Sequence, residues 1–490
     1  MKLVDVLKDL DYQVLQGDLK VDVTGICFDS RKIKDKDLFI AVKGFNSNGH
    51  DYIDDVIKKG CKIIVLEEHK AHISDDVCVI LVKNSRETMG LLASNFYHKP
   101  THKMNMVGIT GTNGKTSITF FIKSILKTSK ASVGIIGTMG VWLNEKLNLT
   151  HNTTPESVIL QDYCSHMVDE NISHCLMEVS SHALELHRVA GCDFNTAIFT
   201  NLTPDHLELH GDMNSYFEAK AKLFQMSSYK NIINVDDKYG EILYTRHLDN
   251  TITYGLKNRA MIYPTNIDSH LEGSHFTLNT PEGSLNMSIN LPGEIYIYNA
   301  LAASAWAYAE GFSLEMIAKG LGAVKTITGR FETVYHEDEK CVIVDFSHTE
   351  DSLEKALLTL TPFVKNKLKV LFGVYAAPGA LGLDKRQAMA RVASKFSDYA
   401  YVTSDNPKDN DPEEIIKDIC QEMDKVKAEY TSVLDRKKAI HLALSQLEKG
   451  DVLLIAGKGH ERTQVINGQA LPFCEKDIVR DYMKATEREI

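Results

Sequence analysis

Between residues 104 and 235 the chain carries MVGIT, ASVGIIGT, CLMEVS, TAIFTNL and NIINV, apolar and largely β-branched runs separated by helix-length stretches. A strand with one wet face alternates apolar and polar residues, whereas these runs are apolar throughout, as strands buried on both faces must be. The pattern predicts the α/β class, a parallel sheet with helices on both sides. A second series, CVIVDF, LKVLFGV, YAYVTS and DVLLIAG, begins at residue 341. Two such sheets require two cores, and 490 residues exceed what one core organises, since cores stop growing near ~250 to 300 residues.

The first hundred residues hold shorter β-rich runs, DLFIAV, KIIVLEE and VCVILV, and a helical pattern over 83–98 that stops before Pro100. The expected division is therefore 1–99, 100–328 and 329–490, each an α/β unit. Late in the second unit TITYGL, HFTLNT and LNMSINLP read as antiparallel strands, and LAASAWAYAEGF as a buried helix.

The formal net charge of −11 argues against general nucleic-acid binding, which needs a basic face. Any anionic ligand must be held by local groups. No apolar run approaches the ~20 residues that span a bilayer, and the first residues lack a signal-peptide core, so a cytoplasmic protein without membrane contact is expected. The nine cysteines contain no CxxC pair, which predicts neither a zinc site nor a disulfide framework.

VGITGTNGKTS, Val107–Ser117, places an apolar run before a glycine loop, then a lysine and two hydroxyl residues. With a strand ending at Ile109 and a helix starting near Thr116, the backbone N–H groups of Gly111, Thr112, Asn113 and Gly114 would line a common space. The helix N-terminus adds positive potential, Lys115 neutralises a phosphate oxygen, and Thr116 offers a hydroxyl to Mg2+, with Ser117 beside it. GxxxxGK[ST] is not met in full, because Ile109 stands where its first glycine would be. Even so, strand, turn, GKT and helix fall in order and point to ATP or GTP.

Five further stretches accompany this loop in order: FDSRKIKDKDLFIAVKG, NTTPES, MEVSSHALELHRV, FTNLTPDHLELHGDM and YFEAKAKLF; SDNPKDNDP and AGKGHE follow near the end. Together they resemble the Mur ligases of peptidoglycan synthesis, most closely the MurE branch, the UDP-N-acetylmuramoyl-tripeptide synthetases. The resemblance implies three domains, a central P-loop sheet and a C-terminal Rossmann-like domain. It also implies a monomer using ATP and Mg2+ to join an amino acid to UDP-N-acetylmuramoyl-L-Ala-D-Glu through an acyl phosphate.

Residue by residue, the resemblance gives Glu178, His206 and Thr116 to the metal. It gives Lys220 a carbamate (N6-carboxylysine) that also serves the metal, although from the residues alone Lys222 is an equal candidate. Arg330 is to reach the nucleotide phosphates with Lys115, and Asn299, Asp345 and His348 to hold adenine and ribose. Ser30, Phe45, Asn46 and Ser47 match the uridine site. Thr153, Thr154, Ser180 and Arg188 match positions that hold the muramoyl dipeptide, Arg188 with a planar fork for phosphate or carboxylate. Asp405, Asn406, Lys408, Gly457 and Glu461 match the amino-acid site.

The chain departs from the family in several places. Leu186 and Tyr296 stand where a glutamine and an asparagine are usual. YAAPGALGLDKR replaces a glycine-rich segment whose arginine meets diaminopimelate, and Lys408 replaces the arginine of DNPR. An ammonium binds a carboxylate as a point charge, without the fork of a guanidinium, so an acceptor other than meso-diaminopimelate is expected, L-lysine first. Lys385 or Arg386 could supply the missing cation. Two rivals remain: a folylpolyglutamate or cyanophycin-type synthetase, which would lack the DSR and TTPES stretches, and a non-catalytic muropeptide and nucleotide sensor.

Overall fold

The computed structural model describes residues 1–44, 47–70, 72–150, 152–257, 259–374, 379–408 and 410–487, with side chains from 382 to 486 in the last two stretches except 409. The chain packs into two compact units. One comprises Met1–Gly111, Leu126–Asn201 and Asp212–Thr253; the other comprises Thr112–Ile125, Leu202–Gly211 and Tyr254–Ile490.

In the first unit a five-stranded sheet includes Asp37–Ile40, Ile63–Leu66 and Cys78–Leu81 as parallel neighbours. The period of two sorts their apolar side chains between two cores. Leu38, Ile40, Ile63, Val65 and Ile80 join Leu3, Met89 and Leu92 on one face. Phe39, Ala41, Ile64, Leu66 and Val79 join Ile53 and Val56 on the other. A helix at Ser85–Phe96, capped by the Asn84 side chain on Glu87 N, lies within the 83–98 pattern and ends two residues short of it.

The same unit contains an eight-stranded sheet with Asn105–Thr110 at its centre, flanked in parallel by His174–Glu178 and Phe194–Phe199. Val133–Gly137 and Ser227–Asn234 continue it in parallel on either side. Gly140–Leu143 and Lys146–Asn148 add an antiparallel edge that the sequence reading did not anticipate. Thr251–Tyr254, the TITY run grouped with the antiparallel segments, instead lies at the opposite edge of this sheet.

In the second unit, Tyr263–His270, Gly273–Thr280 and Gly283–Ile289 form an antiparallel sheet, as HFTLNT and LNMSINLP suggest. The helix Glu294–Ala309 buries Ile297, Leu301, Trp306 and five alanines. A six-stranded sheet runs Glu332–Glu337, Lys340–Asp345, Val452–Ala456, Leu368–Phe372, Tyr399–Thr403 and Tyr430–Val433, parallel except for its first pair. Val452–Ala456 comes last of these in the chain but inserts beside Leu368–Phe372, so strand order reverses there. Ligands of open parallel sheets bind beyond the strand ends at such a point.

Candidate active site

In the first unit the carboxyl ends of three neighbouring strands meet: Val179 N donates to Ile109 O (2.8 Å) and Thr200 N to Thr110 O (3.0 Å). Gly111 follows at once with φ +144°, and a Cβ there would fall 1.8 Å from Thr200 Oγ1. Only glycine fits this approach. Lys220, on the helix Met213–Gln225, is 2% exposed and donates to Gly111 O at 3.0 Å. Lys222, its rival in the sequence, lies on the surface paired with Glu185 at 2.7 Å.

Glu178 ends its strand at 2% exposure. Its Oε1 accepts from Thr138 N (3.1 Å) and its Oε2 from Thr138 Oγ1 (2.9 Å). Thr138 Oγ1 also meets Thr153 Oγ1 at 3.1 Å, and Thr154 Oγ1 donates to Glu178 O at 2.8 Å and accepts from Ser180 N at 3.1 Å. The muropeptide candidates Thr153, Thr154 and Ser180 are thus one network with Glu178, joined by Thr138, which no motif singled out. Arg188 donates to Glu156 Oε1 (2.8 Å) and Thr154 O (3.2 Å), and Arg86 stands 3.7 Å from Glu156 on the other side. Ser30 and Ser47 follow the adjacent parallel strands Gly25–Cys27 and Asp37–Ile40. Phe45 and Asn46 lie outside the described residues.

In the second unit the rest of the glycine loop opens the helix Lys115–Thr128. Lys115 Nζ donates to Thr112 O at 2.9 Å, and Thr112 Oγ1 exchanges hydrogen bonds with the Thr203 backbone at 3.1 and 3.2 Å. Asn113 Nδ2 donates to Asp351 Oδ2 at 2.9 Å and Arg330 Nη2 to Thr116 Oγ1 at 3.2 Å. At Gly114, φ is +93° and a Cβ would stand 2.4 Å from Asn299 Oδ1. Asn299 is 4% exposed, and its Nδ2 is buried without a hydrogen-bond partner among the described residues. A buried orphan donor is costly, and here it sits beside a loop suited to phosphate.

Arg330 lies 4.6 Å from the Phe346 ring centroid. Its Nε is also buried without a hydrogen-bond partner among the described residues. Asp345 holds this turn by accepting from Phe331 N at 2.7 Å and from Ser347 Oγ. Burial pushes the His348 imidazole down to about 4, aided by Lys385, and the His460 imidazole to about 3, aided by Arg330. Tyr296 is buried edge-on to Phe331, and burial raises its hydroxyl well above the usual range.

His206 caps the short helix Leu207–His210 with φ +54°. Its ring stands 3.4 Å from Asp205 Oδ2 and 3.5 Å from Glu208 Oε1. Burial raises the Asp205 carboxyl, but His206, Lys385, His348 and Lys115 outweigh it and hold it low. Lys385, proposed from sequence as a substitute for the lost arginine, instead stands 3.9 Å from Asp205, and Arg386 pairs with Asp418 at 2.7 Å. Part of the altered segment, Tyr375–Pro378, lies outside the described residues.

The loops after Tyr399–Thr403 and Val452–Ala456 gather the acceptor candidates. Asn406 Nδ2 donates to Glu461 Oε2 at 2.9 Å, and a Cβ on Gly457 would stand 2.7 Å from Asp405 Oδ2. Burial, the largest effect, raises the Asp405 carboxyl against the pull of Arg436 and Lys458. Lys408 is exposed, its backbone bridged to the strand Thr463–Ile466. The fully buried Arg436, unseen in the sequence, donates to Ser404 O (3.3 Å) and Ala456 O (2.8 Å), tying the two loops together.

All three segments match known families: residues 22–97 the Mur ligase family catalytic domain, 109–307 the Mur ligase middle domain, and 329–459 the Mur ligase glutamate ligase domain. A UDP-N-acetylmuramoyl-L-alanyl-D-glutamate--2,6-diaminopimelate ligase of Caldanaerobacter subterraneus subsp. tengcongensis is 39% identical over 488 residues, 100% of both chains.

The chain belongs to the Mur ligase family.

A second such ligase, from Clostridium acetobutylicum, is 41% identical to this Mur ligase over 99% of each chain. A solved structure of a ligase of that name is similar with a TM-score of 0.71 and 28% identity over 99% of each chain. The MurF ligase of Thermotoga maritima, solved with ADP, shares the fold at TM-score 0.63 and 17% identity, over 95% of this chain and 98% of that one. No helix among the described residues is long and apolar enough to cross a membrane. The cysteines are all free, six of them buried.

In this Mur ligase, Gly114→Ala is expected to destabilise the fold by about 1–3 kcal/mol through strain at positive φ and to weaken ATP at least tenfold. Gly311→Ala is the control, with φ +78° but nothing within 4 Å of the new Cβ. Urea midpoints and a nucleotide titration would separate the two.

Proposed function

We propose that this Mur ligase adds a diamino acid to the D-glutamate of UDP-N-acetylmuramoyl-L-alanyl-D-glutamate, converting ATP to ADP and phosphate. The D-glutamate carboxylate attacks the γ-phosphorus and ADP leaves; the acceptor amine then attacks the acyl carbon, loses a proton and expels phosphate. In this reading residues 1–99 take the UDP-sugar, 100–328 the ATP and 329–490 the amino acid.

The observation that carries the reading is the cradle of Gly114, Asn299, Thr116 and Arg330, with two buried donors lacking partners beside a phosphate-type loop. Lys115 and Arg330 hold the phosphates, and Asn299, Asp345 and His348 hold or brace the nucleoside.

Thr116 in the second unit and Glu178 in the first are each hard oxygen donors of the kind Mg2+ takes alongside phosphates. Among the described residues no three His, Cys, Asp or Glu side chains gather as a self-sufficient metal site. Mg2+ would neutralise the transferring phosphoryl group; the second unit offers Thr116 and His206 to it, and the first unit offers Glu178 and carboxylated Lys220. Carboxylation joins the neutral Nζ to carbon dioxide with loss of one proton, and the remaining N–H can still donate to Gly111 O.

The acceptor is proposed to be L-lysine, because Lys408 offers one ammonium where a fork would grip a second carboxylate. The names of the relatives favour 2,6-diaminopimelate instead. Purified protein incubated with the muramoyl dipeptide, ATP and each amino acid decides. Phosphate release should require both dipeptide and amino acid and be fastest with L-lysine. Faster addition of meso-diaminopimelate refutes the acceptor and leaves the ligase intact; no release with any amino acid supports a sensor.

A further inference from the structure

Lys458 is the one residue of the AGKGHE loop that is both charged and fully buried, at 0% exposure. Its Nζ donates to Asn406 Oδ1 at 2.9 Å and Glu461 Oε2 at 2.6 Å, and stands 3.7 Å from Asp405 Oδ1. An ammonium has three protons, and this one makes two hydrogen bonds and one longer ion pair, all with residues of the acceptor site. It reaches no solvent, so it cannot itself touch an incoming amino acid.

The consequences for its partners are specific. Asn406 Oδ1 also accepts from Val465 N at 3.0 Å, so two donors fix which end of the amide is oxygen. Nδ2 must then face Glu461, where it donates at 2.9 Å. Glu461 Oε2 thereby takes two hydrogen bonds, while Oε1 accepts none among the described residues, and the side chain is 32% exposed. One carboxylate oxygen is held by Asn406 and Lys458, and the other keeps its accepting capacity on a partly exposed side chain. Asp405, Glu461 and Lys458 together carry net −1, which suits an ammonium.

We infer that Lys458 is a positioning residue for the acceptor amine, fixing the Asn406 amide and turning Glu461 Oε1 toward the incoming ammonium. The inference rests on the ligase reading and names the residue that shapes its acceptor end. Activation of the D-glutamate carboxylate needs no acceptor, so the two half-reactions separate the effects. Hydroxylamine traps an acyl phosphate as the hydroxamate, its nitrogen bonding to the acyl carbon as phosphate leaves.

The test uses the full-length protein with Lys458→Met and Lys458→Arg. Both should form hydroxamate from dipeptide and ATP within about twofold of wild type. The KM for the acceptor should rise about 10- to 100-fold in Lys458→Met, as expected when a charge-assisted contact is lost. Arg keeps the charge, but its planar fork cannot meet three divergent oxygens, so its acceptor KM should fall between the two. Hydroxamate formation near the wild-type rate shows that a variant is folded, so a raised acceptor KM in either one is read on folded protein. An unchanged acceptor KM in folded Lys458→Arg and Lys458→Met overturns the inference, as does hydroxamate formation falling in step with acceptor use. Wild-type protein that forms no hydroxamate overturns the ligase reading itself.

Discussion

Lys220→Met is expected to lower turnover about 10^3-fold, the scale on which a positioned transition-state charge acts, without unfolding the protein. Methionine fills the volume of a side chain that is 2% exposed and packed on the Tyr216 ring at 4.6 Å. What disappears is the nitrogen 3.0 Å from Gly111 O, and with it any carboxylate built on that nitrogen. Acetate or formate at high concentration should therefore restore part of the activity, since a small carboxylate can enter the space left by the missing carbamate. Lys222→Met, which breaks only an exposed ion pair with Glu185, should stay within twofold of wild type. Product formation under saturating substrates, with and without acetate, is the measurement. A folded Lys220→Met protein retaining a tenth of wild-type activity would refute an essential role for this lysine. A dead variant indifferent to both acids would keep the lysine essential but remove the carbamate.

The contrast between Lys220 and Lys222 shows what sequence alone resolves. Both are lysines on one helix, two residues apart, and helical spacing sends them to different faces. Only the burial of Tyr216, Ala219, Lys220 and Leu223 together says which face is inward. The all-apolar runs were legible for the opposite reason: each strand is covered on both sides, so its character needs no knowledge of its neighbours. The glycine loop was legible because strand, turn and helix are consecutive.

Edges and distant pairings were not legible. Gly140–Leu143 and Lys146–Asn148 are too short to show alternation, and Thr251–Tyr254 could equally have joined either sheet by its pattern. Thr138 lies 40 residues from the carboxylate that it satisfies, and Arg436 lies 39 residues from Glu475. No periodicity spans such separations. Lys458 is not legible inside the AGKGHE motif because its contacts are with Asn406 and Glu461, and a sequence displays identities but not the partners they meet.

Arg436→Met is expected to destabilise the second unit by about 3–5 kcal/mol, the cost of removing one partner from a buried ion pair. Arg436 and Glu475 both have side chains at 0% exposure, with Nε and Nη2 donating to Glu475 Oε1 at 2.8 and 2.6 Å. Glu475 Oε2 has no hydrogen-bond partner among the described residues, so losing the guanidinium strands the whole carboxylate. Burial already raises the Glu475 carboxyl above its ordinary range, against the pull of Arg436. Without that pull the folded-state pKa rises further above the unfolded value. The folded variant then binds a proton that the unfolded chain has released, and its stability increases as pH falls. The deficit of Arg436→Met should accordingly be smaller at pH 5 than at pH 8, and Arg436→Met with Glu475→Met should recover much of the loss, because an apolar pair leaves no charge stranded. Urea unfolding at both pH values tests this. A deficit that is independent of pH, or a double variant no better than the single one, would mean that the loss comes from the Ser404 and Ala456 carbonyls that Arg436 also ties, and that the ion pair itself contributes little.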